Sequence, residues 1–279
     1  MKKIIAAFDG LRFSESTKEY SLYMANHCNA HLVGVFLDDF TRQSYTYADV
    51  AAYGSKWEEK VNVLDKEDKE KRDLSVQLFE DACQRAGVDY SLHRDRNIAF
   101  QDLLHETIFS DLLIINSNET FTNYPQPSPT RFLKDLMTEA ECPVMVVPNT
   151  YKPIQKLVLL YDGNPSSVYA LKIFSYLFPA FMPLDTEVIT VKEEKQNLHL
   201  PDNKLMKEFM KRHFPEAKYI VLKGDAEDEI TTYLKVQSEE VLVVLGAYDR
   251  SMVSRWLKSS MADRLLADIN VPLFIAHKR

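Results

Sequence analysis

The chain has 279 residues, 46% hydrophobic and 27% charged, with a formal net charge of −7 and a pI near 5.6. At about 150 residues per domain this length suggests roughly two domains, and no apolar run approaches the ~18 residues that a membrane span needs. The acidic balance argues against a nucleic-acid footprint, which needs a basic face, and against an anionic membrane surface. Residues 2–8 are two lysines and then an unbroken apolar run, Ile4 to Phe8, closed by Asp9-Gly10 and too short for a helix. Such a run suits a strand buried on both faces of a parallel sheet. A helix is predicted over 14–28, with Ser16 and Glu19 in capping-box spacing and an apolar face through Tyr20, Tyr23 or Met24, and His27. His31–Leu37 reads as the next strand. Residues 88–94, 111–116 and 143–147 supply three more, with helical segments at 98–109 and 130–140. The second half gives strands near 156–161, 186–192, 218–223, 241–245 and 272–276. Strands alternating with helices mean β-α-β units and a doubly wound parallel sheet.

The chain says the same thing twice. Lys3-Ile4-Ile5-Ala6-Ala7-Phe8-Asp9-Gly10 returns as Lys156-Leu157-Val158-Leu159-Leu160-Tyr161-Asp162-Gly163, and Cys142-Pro143-Val144-Met145-Val146-Val147 is answered by Val271-Pro272-Leu273-Phe274-Ile275-Ala276. The period is far longer than a solenoid unit, so the repeat is a whole domain. A shift of 129 residues lays 111–115 on 240–244 and Pro143 on Pro272 with no gap between them, whereas the Asp9–Asp162 shift is 153. About 24 extra residues therefore fall in the first half, between Leu37 and Val88. The expected domains are 1–148, with an insert at about 38–75, and 154–279. The insert carries Tyr45, Tyr47, Tyr53 and Trp57 and then the charge run 65–73. The run reads as a solvated helix face; the aromatics suit a lid, an interface patch, or packing of the insert onto its own domain. Two prolines, Pro148 and Pro153, stiffen the connection. Cys28, Cys83 and Cys142 stand in no ligand spacing and read as reduced, mostly buried thiols. The N-terminus opens on a charged strand, Met1-Lys2-Lys3-Ile4, with no apolar signal region of the required length before a small-residue cleavage site, so the expected compartment is the cytoplasm.

An apolar strand ending in Asp-Gly, a late strand ending in glycine, then a loop and a closing Cys-Pro-Val strand, all in duplicate, resemble the universal stress protein family in its tandem form. The resemblance covers nearly the whole chain. It implies two Rossmann-like, adenine nucleotide alpha hydrolase-like domains, each a five-stranded parallel sheet with four helices, paired through their last strands as an internal pseudo-dimer. Nucleotide-binding members carry Gly-x2-Gly-x9-Gly-Ser/Thr after the fourth strand. Glycines there let the backbone approach phosphates, and the following helix offers free N–H groups to the anion. In the second half the matching positions are Gly246, Asp249, Ser259 and Ser260; in the first they are Ser117, Thr120, Thr130 and Arg131, in a loop with Pro125, Pro127 and Pro129. An aspartate at Asp249 is unfavourable in sign, since two unit charges at 4 Å repel by about 4 kcal/mol at an effective dielectric near 20; Arg250, Arg255 and Lys258 lie close enough in sequence to offset it. By the family's pattern Asp162 approaches a ribose, backbone near Val191 meets the base, and Gly246 lies near ribose and phosphates. The other reading of Asp9 and Asp162 is a turn or cap residue held by local hydrogen bonds.

No other motif carries chemistry. His27 and His31 straddle a helix end, and the remaining histidines fall in no metal spacing. There is no G-x-S-x-G elbow, no H-E-x-x-H, no phosphate loop and no dinucleotide fingerprint. The resemblance thus implies a cytoplasmic stress-response protein acting by binding. It implies no catalytic residue and no metal, and at most weak adenosine, AMP or ATP binding in the second half. It also leaves room for a homodimer of the whole chain or an unidentified protein partner. The rival readings are a scaffold with no small-molecule ligand and a slow ATP hydrolase.

Overall fold

In the computed structural model, which describes residues 1–37, 43–51, 53–95, 99–121, 126–193, 198–237, 240–246 and 259–276, the short apolar runs form strands. The first half runs β1 (Lys3–Phe8), α1 (Glu15–Cys28), β2 (His31–Leu37), α2 (Tyr47–Ala51), α3 (Trp57–Ala86), β3 (Tyr90–Asp95), α4 (Ala99–Ile108), β4 (Leu112–Asn116), α5 (Arg131–Glu139) and β5 (Val144–Val147). The second half runs β6 (Lys156–Leu160), α6 (Pro165–Leu177), β7 (Asp185–Lys192), α7 (Asn203–His213), β8 (Lys218–Lys223), α8 (Ala226–Lys235), β9 (Val241–Gly246), α9 (Ser259–Asp268) and β10 (Leu273–Ala276). The described strands form one ten-stranded sheet in the order β3-β2-β1-β4-β5-β10-β9-β6-β7-β8. Every pairing is parallel except β5 with β10, which is antiparallel and joins the halves.

Strand side chains alternate between two apolar layers that each run through both halves. Ile4, Ala6 and Phe8 share one layer with Tyr20, Phe79, Phe174 and Met210, under α1, α3, α6 and α7. Ile5 and Ala7 share the other with Leu103, Leu136, Ile230 and Leu265, under α4, α5, α8 and α9. At the seam Leu273 opposes Val146, Phe274 opposes Met145 and Ile275 opposes Val144. Phe274 is fully buried, with the rings of Phe174 at 5.1 Å and Phe178 at 5.7 Å. The connection is tied down beside it: Tyr151 packs edge-on against Tyr20 at 4.8 Å, and Tyr23 donates to the Ile154 carbonyl at 3.2 Å.

Three expectations are corrected. The first concerns register. Asn116 pairs with Val147, whereas Gly246 pairs with Ala276, the counterpart of Val147. The ungapped match of the two closing segments is therefore off by one residue on the fourth strand. Burial requires the slip, because Leu242 and Val244 share the layer of Leu112 and Ile114, and a one-residue shift would turn each to the wrong face. The second concerns the cap of α1. Ser14, in extended backbone, accepts from the Thr17 N–H at 3.2 Å, and Ser16 is the second helical residue, its hydroxyl donating to the Pro148 carbonyl. The third concerns His27, which lies on the exposed side of α1.

The charge run does lie on a largely exposed helix face, inside the 30-residue α3. Tyr45 donates to Asp65 at 2.6 Å within the insert, and Asp73 pairs with Arg94 of β3 at 2.8 Å, while Tyr53 and Trp57 stand about half exposed; the Tyr47 side chain lies outside the described residues. The lysine that opens each copy meets a carboxylate, from a different element each time. Lys3 reaches Glu106 of α4 at 3.3 Å, and Lys156 reaches Glu187 of β7 at 2.8 Å. Burial pushes the thiols up, Cys28 to about 11 and Cys83 and Cys142 to about 12, which makes them poor nucleophiles.

Phe274→Ala removes a buried ring at the seam and should cost about 3–5 kcal/mol in urea unfolding of the full chain. A loss below about 1 kcal/mol would contradict the role given to this layer.

Candidate functional site: the strand-end crevice

In the sheet order β9-β6-β7, Gly246 ends β9, Asp162 follows β6, and Val191 lies near the end of β7. The fold therefore brings these three to the carboxyl ends of adjacent parallel strands. Connections leave β6 and reach β9 on opposite faces of the sheet there, and such a switch point opens a crevice. Asp249 lies outside the described residues, as do Arg250, Arg255 and Lys258; Ser259 and Ser260 begin α9 with side chains outside the described residues.

The Asp162 carboxylate is engaged locally. Its Oδ1 accepts from the Asn164 N–H at 2.9 Å and from the Ser167 hydroxyl at 2.8 Å, and its Oδ2 accepts from the Asn164 amide at 2.6 Å. This turn hands the chain from β6 into α6. Asp9 does the same in the first half, accepting from the Leu11 N–H at 3.0 Å while 1% exposed. Val191 is half-buried and pairs with Leu222. Behind Tyr161 the Thr190 hydroxyl donates to its carbonyl at 2.7 Å, fixing β7 against the turn.

Gly246 has a packing reason. A Cβ on it would lie 2.5 Å from the Ser166 carbonyl carbon and oxygen and 2.6 Å from the Ser167 nitrogen. The end of β9 thus presses directly on the first turn of α6. In the first half the corresponding residue is Asn116, which is 7% exposed; its amide donates to Ser16 of α1 at 3.4 Å and its Oδ1 accepts from the Asn118 N–H at 2.8 Å. One contact between strand end and helix start is made by bare backbone in one copy and by a side chain in the other.

The first-half loop holds its own anion. The Glu119 carboxylate, 8% exposed, accepts from the N–H groups of Thr120 at 3.0 Å and Phe121 at 3.1 Å, with Phe121 in the left-handed region at φ 48°. Successive N–H groups in such a turn form an anion nest. Thr130 caps α5 by accepting from the Leu133 N–H at 3.3 Å and donates to the Glu119 carbonyl. Ser117 donates its N–H to Val147 at 2.8 Å, and Arg131 pairs with Asp135 at 3.7 Å. Each position expected to face phosphate thus has a partner in the loop or in the adjoining β5 and α5. Glu119 was not singled out in the sequence, and its spacing there carries no signal: it acts on N–H groups one and two residues on, which depends on the turn geometry alone.

Two substitutions test these contacts. Gly246→Ala should destabilise by about 1–3 kcal/mol, because backbone must move to admit one methyl; an unchanged urea midpoint would show that the close approach is absent. Glu119→Ala should cost about 1–3 kcal/mol by leaving buried N–H groups unpaired. Phosphate should then raise the melting temperature of the variant more than that of the parent at matched ionic strength. Equal responses to phosphate and chloride would rule out the nest.

No family model matches the chain, and no curated protein matches it. Solved structures do. A universal stress protein from Archaeoglobus fulgidus matches 99% of this chain and 98% of its own at a TM-score of 0.67 and 12% identity. A protein of unknown function from Pseudomonas aeruginosa PAO1 matches 99% of this chain and 92% of its own at 0.62 and 14%. A further Pseudomonas aeruginosa protein, provisionally named a universal stress protein, matches 99% and 93% at 0.61 and 14%. At these identities the likeness concerns the fold, and it extends over both halves: the chain has the fold of the tandem universal stress proteins.

Proposed function

We propose that this is a stress-response protein of the universal stress type that acts by binding, its first half a structural partner and its second half holding a reduced adenine-nucleotide site. The observation that carries this reading is the asymmetry of the strand ends. In the first half the strand-end residues Asn116 and Glu119 are engaged by Ser16 and by their own loop, while Asp162, Val191 and Gly246 stand at adjacent strand ends in the second. With Asp249 in the loop position, repulsion grows with phosphate charge whereas contacts at the base and ribose do not change. The preferred ligand is therefore adenosine or AMP.

The measurement is calorimetry of the full chain with adenosine, AMP and ATP, after chromatography of the denatured protein for carried nucleotide. Adenosine and AMP should bind weakly and at least as well as ATP, and Asp249→Gly with Ser259→Gly should gain ATP affinity selectively. Tight ATP binding by the parent, or steady release of inorganic phosphate from ATP, would favour the hydrolase reading. Silence with all three ligands would leave the scaffold.

A further inference from the structure

We infer that the groove between α6 and α7 is a separate ligand site, suited to a small aromatic monocarboxylate. A cavity of about 390 Å³ opens there, within the range of small-molecule pockets. Pro165, Val168, Tyr169 and Lys172 line it from α6; their spacing of three and four residues puts them on one helix face. Leu205, Met206 and Phe209 line it from α7. Gly246 packs on Ser166 and Ser167, which are not among these lining residues, and Asp162 and Val191 do not line the cavity either.

The floor and upper end are rigid. Tyr161 is buried, and its hydroxyl donates to the Pro201 carbonyl at 3.1 Å. Gly163, at φ 86°, lies against Pro201 so closely that a Cβ would come within 2.7 Å of it. Both contacts hold Pro201 against the β6–α6 turn at the upper end of the cavity.

The polar groups select the ligand. Lys172 is half-buried on the wall, its ammonium 6.0 Å from the centre of the Tyr169 ring, and among the described residues it makes no ion pair. A half-desolvated cation without a counter-charge is unfavourable unless an anion reaches it. The nearby His213 offers none: burial, and then the charge of Lys172, lower its pKa, and its ring bonds Ser175 at 2.6 Å. Tyr169, Phe209 and Met206 supply walls that favour an aromatic body. Asp202, exposed at the α7 end of the groove, disfavours a second negative charge. One cation, aromatic and thioether walls, and a carboxylate at the rim together describe a monoanion with a flat apolar body.

The probes are 2-naphthoate and its neutral isostere 2-naphthamide, titrated into the full chain by calorimetry, with the Met206 methyl followed by NMR. Naphthoate should bind about tenfold tighter than naphthamide, as expected for a hydrogen bond to a charged group, and both should shift the Met206 methyl. Lys172→Gln should remove the preference and leave naphthamide binding intact. Leu205→Glu, at a position already 67% exposed, should weaken naphthoate more than naphthamide without disturbing the fold. Failure of both probes to bind, binding that leaves the Met206 methyl unmoved, or an undiminished naphthoate preference in Lys172→Gln would each overturn the assignment.

Discussion

Each half of this chain ends on a four-residue apolar strand whose outer N–H and C=O groups would stand open if the half stood alone. An apolar, unpaired edge of that kind is a template for aggregation. The antiparallel contact of β5 with β10 closes both edges at once. Because it joins two parallel sheets edge to edge, both apolar layers continue from one half into the other. The aromatic group of Tyr20, Tyr23, Tyr151 and Phe181 then fastens the connection over the same seam. The halves are thus packed as one sheet with a shared core on each face.

That arrangement also sets what the loops near the seam can do. The loop after β4 lies against the end of α9, where the Ser128 hydroxyl donates to the Leu266 carbonyl at 3.3 Å. Among its described residues Glu119, Thr130 and Ser117 each have a protein partner, so this end of the loop is a joint more than a cradle. The corresponding strand end in the second half keeps a glycine, and its neighbour α6 comes into direct backbone contact. The duplicated pattern therefore reaches two local solutions through a single slipped residue.

The electrostatics follow the same division. Lys3 and Lys156 are matched by Glu106 and Glu187, with His93 and Tyr233 completing the two clusters. Burial, reinforced by the hydrogen bond to Glu187, pushes the Tyr233 hydroxyl well above its ordinary range, so it stays a donor. These clusters leave no charge over for a ligand. Lys172 lies outside both clusters, its ammonium over the Tyr169 ring, and among the described residues it makes no ion pair.

The order of strands and helices along the chain and the duplication were legible in the sequence, because buried parallel strands are written as short apolar runs between turn residues, whereas the pairing of the closing strands was implied by the family resemblance. The asymmetry between Gly246 and its first-half partner was also visible, though assigned to Ser117 in place of Asn116. Tertiary structure decided that register, since only the two packed faces show which strand residue must point to which layer. It likewise decided that Ser14 caps α1, that Glu119 folds back onto its own loop, and that Lys172 lines a groove between α6 and α7 where, among the described residues, it makes no ion pair. Each of these depends on where a backbone turn or a neighbouring helix places atoms that are distant or unpatterned along the chain, and periodicity records only which residues are buried, not what they meet.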